Sequence, residues 1–444
     1  MSFFDWLIIV IAKVVSFAIR ILGLGAGATW PGEIALRCNA HILEVLAKKH
    51  GNIVLVAGTN GKTTTAKMIE TILMHAGKKV RINGSGANLD NGIISCLIED
   101  LDFLGNYRST VMIFEVDEAT LPNIMSATEP RIVVLLNLFR DQLDRYGEVD
   151  IIAGKWKESL LNVNPKKTTL IVNGDDPHLS YLGSLLHGHV SYFGLDDPSL
   201  YRESMDHATD TIYCPACGNR LTFGGVYFSH LGKWACGRCG LTHPNLTMSA
   251  KDVASPIPGV YNIYNTLAAT LVASHFHVSI EESTSALAAF EPAFGRMERV
   301  TYQGKEVVIL LSKNPTGFNE SLRAVVSAGA GHILLVLNDR IADGTDVSWI
   351  WDVDFEQIPR SVRVIVSGDR ALDLAVRMKY TCQAMPLRDG VDSSDNNSLT
   401  VYEDLDTAIQ CALSLLPAQK TLYVLPTYSA MLEVRKILTG KKIL

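Results

Sequence analysis

Apolar and polar positions along this chain follow a repeating alternation. Residues 53–57 form a continuous apolar run, and 66–73 then place apolar residues at helical spacing. The short apolar run returns at 111–115, 132–136 and 169–172, each time ending in polar residues. Strands buried on both faces of a parallel sheet read this way. A second series begins near residue 300, with runs at 307–311, 333–337, 362–366 and 422–425. The pattern predicts an α/β protein with a parallel-sheet central domain over 51–299 and a second α/β domain over 300–444. In open parallel sheets, ligands bind beyond the carboxyl ends of the strands.

Residues 1–50 form a separate N-terminal segment. Residues 3–24 are almost wholly apolar, and Lys13, Ser16 and Arg20 fall close together on a helical wheel. Two cations inside the run disfavour a membrane-spanning helix, and no small-residue cleavage site follows. Two readings remain: a helix packed into the first domain or a partner, or an interfacial helix lying on a membrane. A turn-rich link, Gly23 to Gly32, leads into a helix expected over 34–49.

With 444 residues, two or three domains are expected. A hydrophobic fraction of 48% with 19% charged residues is ordinary for a globular protein. The net charge of −6 argues against an extended nucleic-acid surface. Eight cysteines without a cleavable signal point to a reducing compartment, so the expected location is cytoplasmic, at the inner face of the membrane if the helix is interfacial.

Between the first strand and the first helix lies Gly58-Thr59-Asn60-Gly61-Lys62-Thr63-Thr64. Glycines let backbone N–H groups crowd around a polyphosphate, Lys62 adds a positive charge, and the hydroxyl of Thr63 or Thr64 can ligate Mg²⁺. ATP is the expected ligand. Glu115 and Asp117 follow the run at 111–115, where a carboxylate could hold Mg²⁺ directly or through water. Cys214-Pro-Ala-Cys217 and Cys236-Gly-Arg-Cys239, each followed by glycine, have the spacing of a closed Zn-thiolate site. A structural Zn²⁺ ribbon over 212–243 is expected, with a redox pair as the lesser alternative. Cys38, Cys96, Cys382 and Cys411 lack ligand spacing.

Taken in order, these motifs resemble the Mur ligase family, which includes the folylpolyglutamate synthases. Gly58 to Thr64 is similar to the family's phosphate loop, and Glu115 falls at its metal-binding glutamate. Asn137-Leu-Phe-Arg-Asp-Gln-Leu-Asp144 resembles N-L-x-x-D-H-L-D, and Asn173-Gly-Asp-Asp-Pro177 resembles N-x-D-D-P. Asn262 and Asn265 lie in a segment similar to the element that touches adenine, and Arg296 matches an arginine that reaches nucleotide phosphates. The chain also departs from the pattern. Gln142 replaces a metal-binding histidine, and Ser312-Lys313-Asn314-Pro315 replaces D-Y-A-H-N-P. The family's carbamylated lysine would be Lys155 or Lys157.

The departures, the Cys₄ ribbon and segments 313–319, 338–344, 346–356 and 425–428 are similar to one branch, whose members are synthetase subunits paired with a GatD-like glutaminase. The resemblance implies ATP-dependent amidation of the D-glutamate α-carboxylate of the peptidoglycan stem peptide on lipid II, through an acyl phosphate and with ammonia from the partner. It implies further that Asp352, or else Asp354, orients a histidine of the glutaminase. Trp349, Trp351 and Phe355 around it are expected at an interface. The competing functions are an amino-acid-adding ligase of the Mur or folylpolyglutamate type, and a zinc-ribbon ATP switch on nucleic acid.

Overall fold

The computed structural model describes residues 2–22, 29–84, 86–102, 104–141, 149–186, 188–207, 209–291, 295–381, 387–388 and 399–440. Gln142, Asp144, Cys382, the surface loop at 392–397 and most of the link at 23–28 lie outside the described residues. The central sheet is built from β1 (Ile53–Ala57), β2 (Val80–Ile82), β3 (Val111–Val116), β4 (Ile132–Leu135), β5 (Thr169–Asn173) and β6 (Val190–Gly194). A hairpin of β7 (Thr222–Phe228) and β8 (Leu231–Ala235) interrupts it before the edge strand β9 (Met248–Ser249). The strand order is β2-β3-β1-β4-β5-β6-β9, with every neighbouring pair parallel.

Strand β1 shows why these runs are so uniformly apolar. Ile53, Leu55 and Ala57 face one core with the helices Asp90–Asp100, Leu121–Thr128 and Val149–Leu161. Val54 and Val56 face a second core with Lys62–His75 and Val260–Ser274. Alternating side chains on a pleated strand enter opposite cores, so each position must be apolar.

The C-terminal sheet comprises β10 (Arg296–Tyr302), β11 (Lys305–Leu310), β12 (His332–Val336), β13 (Arg363–Ser367), β14 (Leu387–Arg388), β15 (Leu399–Val401) and β16 (Thr421–Pro426). Its order is β10-β11-β16-β12-β13-β15-β14, with β10 antiparallel to β11 and the rest parallel. The boundary expected between 299 and 300 therefore moves to before Arg296. A cut at 300 would split β10 from its own ladder.

Two N-terminal expectations are corrected as well. The helix expected over 34–49 is two helices, Trp30–Cys38 and Ile42–Ala47. Asn39 breaks them: its backbone is extended, its Nδ2 donates to Asp5 (3.0 Å), and its Oδ1 accepts from the His41 N–H (2.9 Å). These helices also share the central domain's core, through Ala35, Ile42 and Leu46. Helix Trp30–Cys38 approaches Asp90–Asp100 so closely that a Cβ on Gly32 would lie 1.8 Å from the Asn91 carbonyl oxygen.

The first helix, Phe3–Leu22, inverts the usual amphipathic arrangement. Its polar groups face the protein: Lys13 donates to the Leu101 carbonyl, and Asp5 and Ser16 are buried beside Ile8, Ile9 and Ala12. Its outward face exposes Phe3, Phe4, Trp6, Leu7, Ile11, Val14 and Phe17. Among the described residues, no helix is long and apolar enough to cross a membrane.

Candidate active site

The phosphate loop turns sharply between β1 and the helix Lys62–His75. Gly58 and Gly61 have φ of +143° and +89°, and a Cβ on Gly61 would meet Asn265 Oδ1 at 2.2 Å. Only glycine fits both demands. The strand end after β4 braces the loop from below. The Asn60 N–H donates to Asn137 Oδ1 (2.8 Å), and Asn137 Nδ2 donates back to the Asn60 carbonyl (3.0 Å). Thr59 Oγ1 accepts from the Phe139 N–H (3.0 Å) and donates to the Phe139 carbonyl (3.1 Å). No side chain caps the helix that follows, so its first N–H groups are available to an anion.

The Lys62 ammonium contacts the Gly58 carbonyl (2.6 Å) and Glu118 Oε2 (3.1 Å). Burial raises the Glu118 carboxyl above its ordinary range, against the pull of Lys62 and Lys313. Glu118 was not anticipated from sequence, where Glu115 and Asp117 took precedence. All three acids are buried at the end of β3, so hard oxygen donors suited to Mg²⁺ stand beside the loop. Glu115 is fixed by Asn83, which donates to its carbonyl and accepts its N–H, both at 2.9 Å. Thr64 lines the cavity and Thr63 is half-buried at the helix start. Lys155 is exposed and Lys157 reaches Tyr181 OH (3.2 Å), so neither amine is held at the loop.

A cleft runs between the two domains. Clefts at domain interfaces are common places for small ligands to bind. Asn60, Gly61, Asn262 and Asn265 line it from the central domain, and Arg296 and Lys313 from the C-terminal one. Asn265 Nδ2 donates to Asn262 Oδ1 (3.2 Å), and its own Oδ1 accepts from Thr65 (3.2 Å). Burial lowers the Arg296 guanidinium pKa, while Glu115 and Tyr261 act in the opposite sense. Phe139, Phe228, Leu231, Ile257 and Tyr264 supply an apolar wall.

Phe228 and Leu231 come from the ribbon hairpin, a link to the site with no sequence signal. The Asn173–Pro177 segment anchors that hairpin. Asp175 accepts from His243 Nε2 (2.7 Å) and Tyr264 OH (2.5 Å), and its carbonyl accepts the Gly232 N–H (3.0 Å). Cys214, Cys217, Cys236 and Cys239 place their sulfurs within 4.8 Å of one another, with the 214–239 and 217–236 pairs at 3.6 Å. Sulfurs bound at about 2.3 Å around one tetrahedral ion lie roughly 3.8 Å apart, so the cluster fits Zn²⁺. The backbone N–H groups of Cys239 and Arg238 pull the Cys236 thiol down to about 6, whereas burial pushes Cys214 up to about 12, so the four become thiolates together only with a cation among them.

Asp352 is partly exposed, at 40% of its side chain, and lies 3.3 Å from Arg140 Nη1. Asp354 turns inward. It contacts His207 Nδ1 (2.7 Å), and its N–H donates to Asn319 Oδ1 (2.8 Å). Burial and the neighbouring Asp206 raise its carboxyl, opposed by His207 and Arg323. The aromatic expectation needs correction. Phe355 is fully buried against Phe318, and Trp349 also packs on Phe318, so both belong to the C-terminal core. Trp351 is exposed beside Tyr380, continuing a stripe of exposed Leu372, Val376 and Tyr380 on the helix Ala371–Thr381.

A Mur ligase middle-domain model matches residues 56–273, and a MurT ligase C-terminal model matches residues 311–431. The lipid II isoglutaminyl synthase (glutamine-hydrolyzing) subunit MurT of Staphylococcus aureus (strain COL) is 31% identical over 434 residues, covering 93% of this chain and 96% of that protein. The subunit of the same name from Streptococcus pneumoniae is 31% identical over 441 residues, with 95% and 94% covered. In fold, the chain is similar to a pseudomurein peptide ligase type C from Methanothermus fervidus (TM-score 0.67, 20% identity, 90% of this chain and 80% of that one). It is also similar to MurF from Acinetobacter baumannii (TM-score 0.62, 15% identity, 92% and 79%). The residue-level resemblance and this match over more than nine-tenths of both chains agree: the chain belongs to the MurT family of ATP-dependent, Mur-type ligases.

Proposed function

We propose that this protein amidates the D-glutamate α-carboxylate of the peptidoglycan stem peptide on lipid II, using ATP and ammonia delivered by a GatD-like glutaminase. The observation that carries it is the cleft, where Asn60, Gly61 and Thr64 of the phosphate loop face Arg296 and Lys313 of the other domain, with Lys62 behind the loop on the buried carboxylate Glu118. A carboxylate is a poor electrophile. Its oxygen attacks the γ-phosphorus of ATP, an O–P bond forms, and the bond from that phosphorus to the ADP oxygen breaks. Ammonia then attacks the acyl carbon, phosphate departs with the C–O bond, and a proton is lost, leaving the amide. Lys62, Arg296 and the loop N–H groups stabilise charge on the transferring phosphoryl group. Mg²⁺, held by Glu115 and Thr63 or Thr64, would supply further neutralisation of phosphate charge. Zn²⁺ on the four cysteines would be structural, because four thiolates leave no open position.

Asp352 is assigned the partner's histidine, since its carboxylate reaches the surface next to an exposed apolar stripe, whereas Asp354 is engaged inside the domain interface. The stripe of Trp351, Leu372, Val376 and Tyr380 is the docking surface for the glutaminase. The outward apolar face of Phe3–Leu22 would rest on the cytoplasmic membrane surface, where a lipid-linked substrate resides. Co-expression with a glutaminase of this type, followed by mass spectrometry of the stem peptide, tests the proposal. The expected result is the small mass loss of a hydroxyl exchanged for an amino group, dependent on both subunits. An unchanged peptide, or an added amino-acid mass, would reject it.

A further inference from the structure

Two ammonium groups flank the phosphate loop, each resting on a carboxylate. Lys62 rests on Glu118, and Lys313, from the opposite domain, rests on Asp141 Oδ2 at 2.5 Å. Only the first has a role in the chemistry described so far. Lys313 sits between β11 and the helix Pro315–Ser327, half-buried, and it lines the cleft together with Asn60, Gly61 and Arg296.

Its position is locked to the loop by its neighbour. Asn314 Nδ2 donates to Asn60 Oδ1 (3.1 Å), and Asn60 Nδ2 donates back to Asn314 Oδ1 (3.3 Å). Asn314 also caps its own helix, accepting from the Gly317 N–H (2.8 Å). One asparagine thus registers the Lys313 backbone against the residue that opens onto the phosphates. Burial disfavours the charge, yet Asp141 and Glu118 hold the Lys313 ammonium above its ordinary pKa, so it stays protonated. Asp141 is itself buried, and its other oxygen, Oδ1, has no hydrogen-bond partner. Leaving Asp141 strips a buried carboxylate of its counter-charge, so only a more strongly charged anion such as a phosphoryl group can draw Lys313 away.

We propose that Lys313 is a catalytic residue of phosphoryl transfer, exchanging Asp141 for the phosphoryl group as it passes from ATP to the substrate carboxylate. Its ammonium contacts the equatorial oxygens of that group while the bond to ADP breaks and the bond to the carboxylate oxygen forms. Lys313 keeps its proton throughout and donates only hydrogen bonds. Because it comes from the C-terminal domain, the reaction proceeds only when both domains close on the nucleotide, as with a cation supplied in trans.

The inference rests on the acyl-phosphate function proposed above, and the test separates the two. In the complex, with substrate present and ammonia withheld, reversible acyl-phosphate formation scrambles an ¹⁸O label between the bridging and non-bridging positions of the ADP β-phosphate end of ATP. The Lys313→Met variant should lose this exchange by about 10²–10³-fold, while ADP affinity stays within about threefold. Lys313→Arg should restore part of it, and Lys313→Gln gives the same comparison should Met perturb folding. Parental exchange in Lys313→Met and Lys313→Gln would overturn the proposal. A fall that only tracks lost ADP binding would overturn it too, making Lys313 a latch between domains. An unmodified complex that exchanges no label would overturn the acyl-phosphate function and this proposal with it.

Discussion

Asp352 carries the sharpest consequence of any single residue. If it orients the partner's histidine, Asp352→Asn should cut glutamine-driven amidation by about 10³–10⁴-fold, by analogy with triad aspartates. Activity with ammonium salts should remain near the parental rate, because the nucleotide cleft is untouched. Loss of both activities would instead place Asp352 in the synthetase chemistry. The loop turn and the four-cysteine cluster were legible because glycine spacing and C-x-x-C knuckles are local signals, whereas Arg296 was named only through the family resemblance. Glu118 was not. Three acids end β3 within four residues, and only the fold turns Glu118, rather than Glu115 or Asp117, toward Lys62. Lys313 was legible only as a departure from a motif. Its partner Asp141 lies far away in sequence, and spacing carries no information about such a pair.

Among the elements, the four-cysteine ribbon and the first helix invite direct tests. The hairpin β7–β8 contributes Phe228 and Leu231 to the wall of the cleft, so a metal bound by the cysteines should affect nucleotide binding at a distance. Each apolar side chain is worth about 1.5–3 kcal/mol when fully buried, so chelation or Cys239→Ser should weaken ADP binding by about tenfold or more. Elemental analysis should find one zinc per chain, and calorimetry should show the lost affinity. Unchanged ADP binding after zinc removal would separate ribbon from site. For the helix Phe3–Leu22, Phe3→Glu with Phe17→Glu should abolish co-sedimentation with anionic lipid vesicles while leaving the melting temperature unaltered, since both side chains are exposed. Retained vesicle binding would contradict an interfacial role. The sequence showed a polar stripe on this helix but not its direction. Lys13 and Ser16 turn inward because the Leu101 carbonyl and Glu99 await them there. In the same way, the run at 34–49 read as one helix because its apolar spacing continues through Asn39, and the break comes from that side chain's tertiary bonds to Asp5.

At the scale of the whole molecule, two α/β domains close on one cleft, and their order was readable from the recurrence of apolar runs. Their boundary was not, because β10 pairs backward with β11 and hydropathy does not reveal which sheet a strand joins. Stability should depend on pH through the buried imidazoles. Burial lowers the pKa of His50, His178, His275 and His332 in the folded chain. The unfolded chain therefore takes up protons first as pH falls below about 6.5, and stability conferred by these neutral rings is lost in that window. Asp90 and Asp343, whose carboxyls are raised chiefly by burial, act in the opposite sense only once the carboxylate range is reached. Melting temperature should fall between neutral pH and about 5.5; a flat or rising profile would contradict the assignment of these histidines as neutral.

In the proposed function the domain arrangement brings a nucleotide, a carboxylate and ammonia together, and the fate of one oxygen atom reports on that directly. Lipid-linked stem peptide labelled with ¹⁸O in the D-glutamate α-carboxylate, turned over with ATP and ammonia, should release inorganic phosphate carrying one labelled oxygen for every amide formed. Amide formed alongside unlabelled phosphate would contradict activation of the carboxylate by ATP, and with it the function assigned to the cleft.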